Sequence, residues 1–75
     1  MIEAEDDAWD AGEMGCGDLV LRLRKRLRAM PGKTLKVTAT DGGAPADLPA
    51  FCRMTGDTLV HTDAATHNYW IKARG

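Results

Sequence analysis

Apolar residues recur at positions 19, 23, 27 and 30 of this chain, and arginine or lysine fills most of the places between them. At 100° per residue Leu19, Leu23, Leu27 and Met30 fall on one stripe with Val20 at its edge, which predicts an amphipathic helix over 18–30. Asp18 is its candidate N-cap or first-turn residue, and Pro31-Gly32 is a stop signal. Leu21 alone falls on the polar face. The next segment, Thr34–Thr40, alternates strictly, with Leu35, Val37 and Ala39 on one side and Thr34, Lys36, Thr38 and Thr40 on the other. That period predicts a strand with one covered face. A loop, "DGGAP", precedes a shorter helix expected over 47–54, capped by Asp47, with Pro49 in its first turn. Leu48, Phe51, Cys52 and Thr55 share one face of it, and Gly56 ends it. Ala8 and Trp9 mark a short first strand over 7–11, and 58–62 and 68–72 read as two strands joined by a turn through Asp63–Thr66. Gly12, Gly15 and Gly17 interrupt any regular pattern, so Cys16 is expected in a loop at the start of the first helix.

The resulting order, β-α-β-α-β-β, gives helices with one apolar stripe and strands with one apolar face. These satisfy each other as a two-layer α/β (α+β) sandwich, both helices packed on one face of a four-stranded sheet. The sheet is expected to be mixed, because helical crossovers make parallel neighbours and the final hairpin makes an antiparallel pair. In the last strand Trp70 alternates with Tyr69 and Ile71. One of these sets faces the helices; the other faces away, as core or as an apolar docking patch.

Seventy-five residues allow one domain with a small core, here expected over 7–75 behind a flexible acidic tail at 1–6. Trp9, Phe51, Tyr69 and Trp70 are the only aromatic residues, so each carries a large share of the core or of a binding surface. No apolar run approaches the ~20 residues of a membrane span. The acidic start lacks the apolar segment of a secretory signal, so the expected location is cytoplasmic. There the two cysteines are expected to be free thiols; in an oxidising compartment they have only each other to pair with.

The formal net charge is −1, but its distribution is uneven. Glu3, Glu5, Asp6, Asp7, Asp10 and Glu13 precede any basic residue, and Arg22, Arg24, Lys25, Arg26 and Arg28 follow in one cluster. Such a bipolar surface argues against nucleic acid as the partner, which calls for a basic excess and interleaved aromatic residues. The helix face carrying Arg22, Lys25 and Arg26 reads instead as a solvated face or a docking patch for an acidic protein. His61 and His67 flank the last turn without a third ligand at suitable spacing, so no metal site is expected.

The remaining chemistry is the thiol in "EMGCGDL". A helix N-terminus carries unpaired N–H groups and about half a positive charge, which favours a thiolate placed there. Gly15 and Gly17 leave the sulfur open to a bulky partner. Asp18 works in the opposite direction, competing for the same N–H groups and repelling a nearby anion. Cys16 therefore reads as a reactive residue, against the alternative of a small side chain filling space under the first strand. Cys52, on the apolar face of the second helix beside Phe51, reads as a buried structural residue.

An ordered set of motifs adds to this reading. Asp10 and Cys16 stand at the spacing of an aspartate followed by a Cys-Pro-x-Pro motif that opens a first helix. Gly32, Leu35 and Val37 match a Gly-x-x-Leu-x-Val strand, and Thr40, Asp41 and Asp47 match a Thr-Asp loop with a second aspartate six residues on. The run "DLPAFC", Asp47–Cys52, is followed by Gly56 and Leu59. In these features the chain resembles the TusA/SirA-like sulfur-carrier (sulfurtransferase) family from Trp9 to Lys72. It departs from the family pattern in having Gly17 and Leu19 for the two prolines, Gly12-Glu13 for the usual Arg-Gly, and Asp57 for a histidine after the second helix. The resemblance implies the same two-layer fold and makes Cys16 the sulfur-accepting residue with Asp10 as the matching aspartate, while Gly15, Gly17 and Asp18 are the supporting residues of the local reading. It implies a persulfide carrier without cofactor or substrate pocket, serving a sulfur donor such as a cysteine desulfurase and a downstream acceptor. Two rivals remain: a thiol-independent interaction or regulatory module with the same fold, and a redox-sensing thiol protein.

Overall fold

The computed structural model describes residues 4–75. In chain order its elements are β1 (Asp7–Gly12), α1 (Cys16–Arg28), β2 (Thr34–Ala39), α2 (Ala44–Thr55), β3 (Thr58–Asp63) and β4 (Asn68–Lys72). The strands form one sheet in the order β1-β2-β4-β3, with β1 parallel to β2 and both β4 pairings antiparallel. This is the mixed two-layer sandwich expected from the pattern. Among the described residues no helix is long and apolar enough to cross a membrane.

The core lies between the sheet and the helices. From α1 it takes Leu19, Leu23 and Leu27, from α2 Ala44, Leu48, Phe51 and Cys52, and from the sheet Leu35, Val37, Ala39, Tyr69 and Ile71. The alternation of β2 is thus realised with its aliphatic set facing the helices. Val37 pairs with Tyr69 and Leu35 with Ile71, which resolves the ambiguity of β4: Tyr69 and Ile71 face the helices. Trp70, one residue out of phase, lies on the other face, opposite Lys36 and His61. Leu21 is 56 % exposed, in line with its place on the polar side of α1.

Both helices begin earlier than the pattern suggests. The first opens at Cys16 rather than Asp18, so the cysteine is a helical residue and Asp18 lies inside the first turn. The second opens at Ala44 rather than Asp47. Gly43 is its N-cap, Pro45 is the first-turn proline, and Pro49 lies in the helix interior. Asp47 is therefore not the cap; its N–H donates to the Gly43 carbonyl at 2.9 Å. A proline at 49 forgoes the bond its N–H would give to the Pro45 carbonyl.

The end of α2 is held by a small polar cluster. Gly56 adopts the left-handed conformation (φ 84°), and its N–H reaches the Cys52 carbonyl at 3.0 Å. Thr55 Oγ1 donates to Asp57 Oδ2 at 2.6 Å, and the Arg74 N–H donates to Asp57 Oδ1 at 2.9 Å. Asp57, which stands where the family has a histidine, thus ties the end of the helix to the segment after β4. A side chain at 56 faces both the positive φ and a close approach, since its Cβ would lie 3.3 Å from Arg74 Cδ. Gly56→Ala is expected to cost about 1–2 kcal/mol, read as a lower urea midpoint at unchanged m.

The expected tail at 1–6 falls in its first three positions outside the described residues. Asp6 pairs with the start of β2: its N–H donates to the Thr34 carbonyl at 2.8 Å, and its Oδ2 accepts from the Thr34 N–H at 2.8 Å.

Candidate functional site

The loop that delivers Cys16 is short and braced. Asp10 Oδ1 accepts from the Gly12 N–H at 2.9 Å, at a point where a β-bulge breaks the β1–β2 register. The Met14 N–H returns to the Ala11 carbonyl at 3.2 Å, and its side chain packs on the core. Asp10, a supporting residue in the sequence reading, acts here by shaping the turn out of β1.

Gly15 is the N-cap of α1 in an extended conformation (φ −71°, ψ 165°), with no side-chain bond to the first turn. The first turn of N–H groups therefore opens without a competing cap, which preserves the partial positive charge of the helix end at Cys16. A Cβ built at Gly15 or Gly17 would meet no heavy atom within 4 Å, so the backbone on either side of the cysteine borders open space. Asp18 is exposed in the same turn.

The missing prolines have a structural counterpart. The Leu19 N–H donates to the Gly15 carbonyl at 2.8 Å, closing the first helical turn with a bond that proline at this position cannot make. The Leu19 side chain is fully buried and heads the apolar stripe of α1. Where the family motif fixes the start of the helix through ring geometry, this chain anchors it through a backbone bond and a core leucine.

The second cysteine, Cys52, lies in the core. It is 5 % exposed, unpaired, and packed among Leu48 and Phe51. Desolvation, with the Asp57 charge adding to it, pushes its thiol from the ordinary 9.0 up to about 11. The fold thus keeps this thiol protonated where the unfolded chain releases its proton. Its stabilising contribution is full below pH 9 and is lost as pH rises through about 11. Two pH units of separation correspond to about 2–3 kcal/mol. Urea midpoints are expected to fall steeply over this window, and more shallowly in Cys52→Ala. Burial also pushes the Tyr69 hydroxyl up, so the comparison is best made in a Tyr69→Phe background.

The basic face expected to dock partners divides in two. Arg22, Lys25 and Arg26 are exposed, and the Arg26 guanidinium lies over the Trp9 ring at 4.8 Å from its centroid, toward the β1 side of α1. Arg24 and Arg28 point the other way, into a cleft between α1 and α2. One part of this cleft, about 450 Å³, is bordered by Arg24, Arg28, Met54 and Arg74. An adjoining part of about 220 Å³ shares Arg24 and Met54 and runs back to Val20 and Phe51. Met54 is 87 % exposed at its lip. This arginine-lined cleft also takes in Asp47 and Asp57; Arg24 and Arg28 are i, i+4 neighbours in the sequence, but Arg74 joins them only through the fold. The two histidines are not brought into a metal centre with other ligands among the described residues. His61 instead packs against Trp70, ring centroids 5.2 Å apart.

Comparison with known proteins places this geometry. The family model described as Sulfurtransferase TusA matches residues 9–73. A sulfur carrier protein TusA of Pseudomonas aeruginosa is 36 % identical over 77 residues, covering 99 % of this chain and 98 % of the relative. A second, from Pseudomonas entomophila, is 36 % identical over 72 residues, 92 % of this chain and 90 % of the relative. A putative sulfur carrier protein of Neisseria meningitidis is 48 % identical over 52 residues, 68 % of this chain and 70 % of its own length. With the fold, the cysteine at the head of α1 and the ordered motifs all agreeing, this chain belongs to the TusA sulfurtransferase family.

Proposed function

We propose that this protein is a small sulfur carrier that accepts a persulfide sulfur on Cys16 and passes it to an acceptor thiol. The observation that carries the reading is the placement of Cys16 at the first position of α1, behind an uncapped glycine and between two open backbone positions. Family membership supports it, and the buried, protonated state of Cys52 leaves Cys16 as the thiol suited to exchange.

In the forward step the Cys16 thiolate attacks the outer sulfur of a donor persulfide, R–S–SH. The donor S–S bond breaks, its electron pair leaves with R–S⁻, and Cys16–S–SH forms. In the return step an acceptor thiolate attacks the outer sulfur of Cys16–S–SH, and Cys16 leaves as the thiolate. No external oxidant or reductant is consumed. The protein contributes positioning: Gly15 and Gly17 leave the backbone open on either side of Cys16, Asp10 fixes the turn before it, and Asp18 adds charge to the first turn. Arg22, Lys25 and Arg26 on one side of α1, and the Arg24–Arg28–Arg74 cleft on the other, offer acidic partners two ways to approach. A cysteine-desulfurase-like donor and a thiol-bearing acceptor protein are the partners this chemistry requires, and a cytoplasmic setting, where thiols stay reduced, suits it.

The test is intact-mass measurement after incubation with a persulfide donor. The chain is expected to gain one sulfur, which dithiothreitol removes and an acceptor thiol takes up. A folded chain that gains none, while a control carrier is loaded in the same reaction, would move the assignment to the thiol-independent module.

A further inference from the structure

The sheet face opposite the helices carries a large aromatic ring that solvent barely reaches. Trp70 is 2 % exposed, yet it stands outside the helix-side core cluster. Lys36 and His61 are its cross-strand neighbours on either side. The Lys36 ammonium lies 6.0 Å from the indole centroid, and Lys72, two residues along β4, projects from the same face. The face is therefore an indole ringed by two ammonium groups and an imidazole.

What lies across it is the chain's own acidic segment. Glu5 Oε1 accepts from Trp70 Nε1 at 3.1 Å, a contact spanning 65 residues of sequence. Next to it, Asp6 takes both backbone groups of Thr34. Glu5 is itself exposed, and a hydrogen bond to a charged group contributes about 1.5–3 kcal/mol, so a partner that offers the same bond can replace this internal occupant.

We infer that the open face around Trp70, Lys36, His61 and Lys72 is a docking surface for an acidic, extended segment of a partner protein, which Glu5 and Asp6 occupy in the unbound chain. The internal segment displays the chemistry such a partner needs, one carboxylate for the indole N–H and a second beside a backbone pair at Thr34, and the Lys36 and Lys72 ammonium groups of the face complement it. The surface lies on the far side of the sheet from α1. Its occupancy is independent of the Cys16 reading, and a partner seated there leaves the sulfur-carrying end free.

The test uses the full chain with Trp9→Phe, so that Trp70 is the sole indole. In the Glu5→Ala/Asp6→Ala variant, acrylamide quenching of Trp70 is expected to rise several-fold. Adding acetyl-Ala-Glu-Asp-Asp-Ala-amide should restore shielding saturably and less well in high salt, whereas the Ala-Gln-Asn-Asn-Ala analogue should not. Lys36→Glu in the same background should weaken the acidic peptide about fivefold. Should the double variant lose its native circular dichroism, Glu5→Gln alone, which keeps the Asp6 bonds, is expected to give a smaller rise in quenching. Unchanged quenching in a folded variant, or equal binding of the neutral peptide, would overturn the inference. A single-stranded oligonucleotide that protects Trp70 at lower concentration than the peptide would overturn it in favour of nucleic acid. Persulfide loading of Cys16 should be the same in the double variant and its parent; a loss would contradict the independence of the two faces.

Discussion

Cys16→Ser is expected to abolish sulfur loading, while Cys52→Ser retains it. The argument is a difference in thiolate supply and access. With its thiol pushed up to about 11, Cys52 is ionised in roughly one molecule per thousand at pH 8. Its side chain is also enclosed between α2 and the sheet, so even that fraction meets no bulky donor. Cys16 instead opens α1 behind a glycine N-cap, with backbone bordering open space on either side of it. Iodoacetamide labelling near neutral pH, read by peptide mapping, should therefore modify Cys16 alone in the folded chain and both cysteines in urea. Loading that survives Cys16→Ser and disappears in Cys52→Ser would reverse the assignment.

The largest expected stability effect is at Leu23. This side chain is fully buried in the middle of the α1 stripe, between Leu19 and Leu27 and against the sheet. Truncation of a buried leucine to alanine costs about 2–5 kcal/mol, through lost transfer energy and the cavity left behind. A chain of 75 residues has about 4–11 kcal/mol in total at about 0.05–0.15 kcal/mol per residue. Leu23→Ala is thus expected to remove about a fifth of the stability at the least and about half at mid-range, seen as a large fall in urea midpoint with m unchanged. A loss below about 1 kcal/mol would mean that α1 is not the principal lid of the core. Because Cys16 begins the same helix, the variant should also load sulfur less completely as denaturant rises.

Much of this architecture was legible because two periodicities do the specifying. The 3.6-residue stripe of Leu19, Leu23 and Leu27 and the alternation of Leu35, Val37 and Ala39 each name the buried side without ambiguity. The helix starts were not legible for a specific reason. Both N-caps are glycines, Gly15 and Gly43, which leave no side-chain capping signal, whereas the aspartates that follow them, Asp18 and Asp47, mimic one. Pro49 adds to the ambiguity, since in sequence an interior proline resembles a first-turn one. Tyr69-Trp70-Ile71 could not be assigned to faces from three consecutive large apolar residues. What decides them is the register with β2 and a carboxylate at position 5, both remote in sequence. At the candidate site the cysteine and its glycines were readable as local chemistry. The cleft formed by Arg24, Arg28 and Arg74 was not, because its third member arrives from beyond β4.

The strand order carries a consequence for how the molecule comes to be made. The strand that comes last of the four in chain order, β4, is an inner strand of the sheet, and among the described residues β3 pairs with nothing else. A nascent chain halted before Asn68 can bring β1 beside β2 and lay the helices over them, but it leaves β3 without a neighbour and the inner edge of β2 unpaired. The full sheet becomes available only once β4 has left the ribosome, so its assembly should be a nearly all-or-none event. Until then the unfinished edge of β2, with Leu35 and Val37 lacking their partners across β4, is the surface on which a chaperone or a neighbouring nascent chain would act.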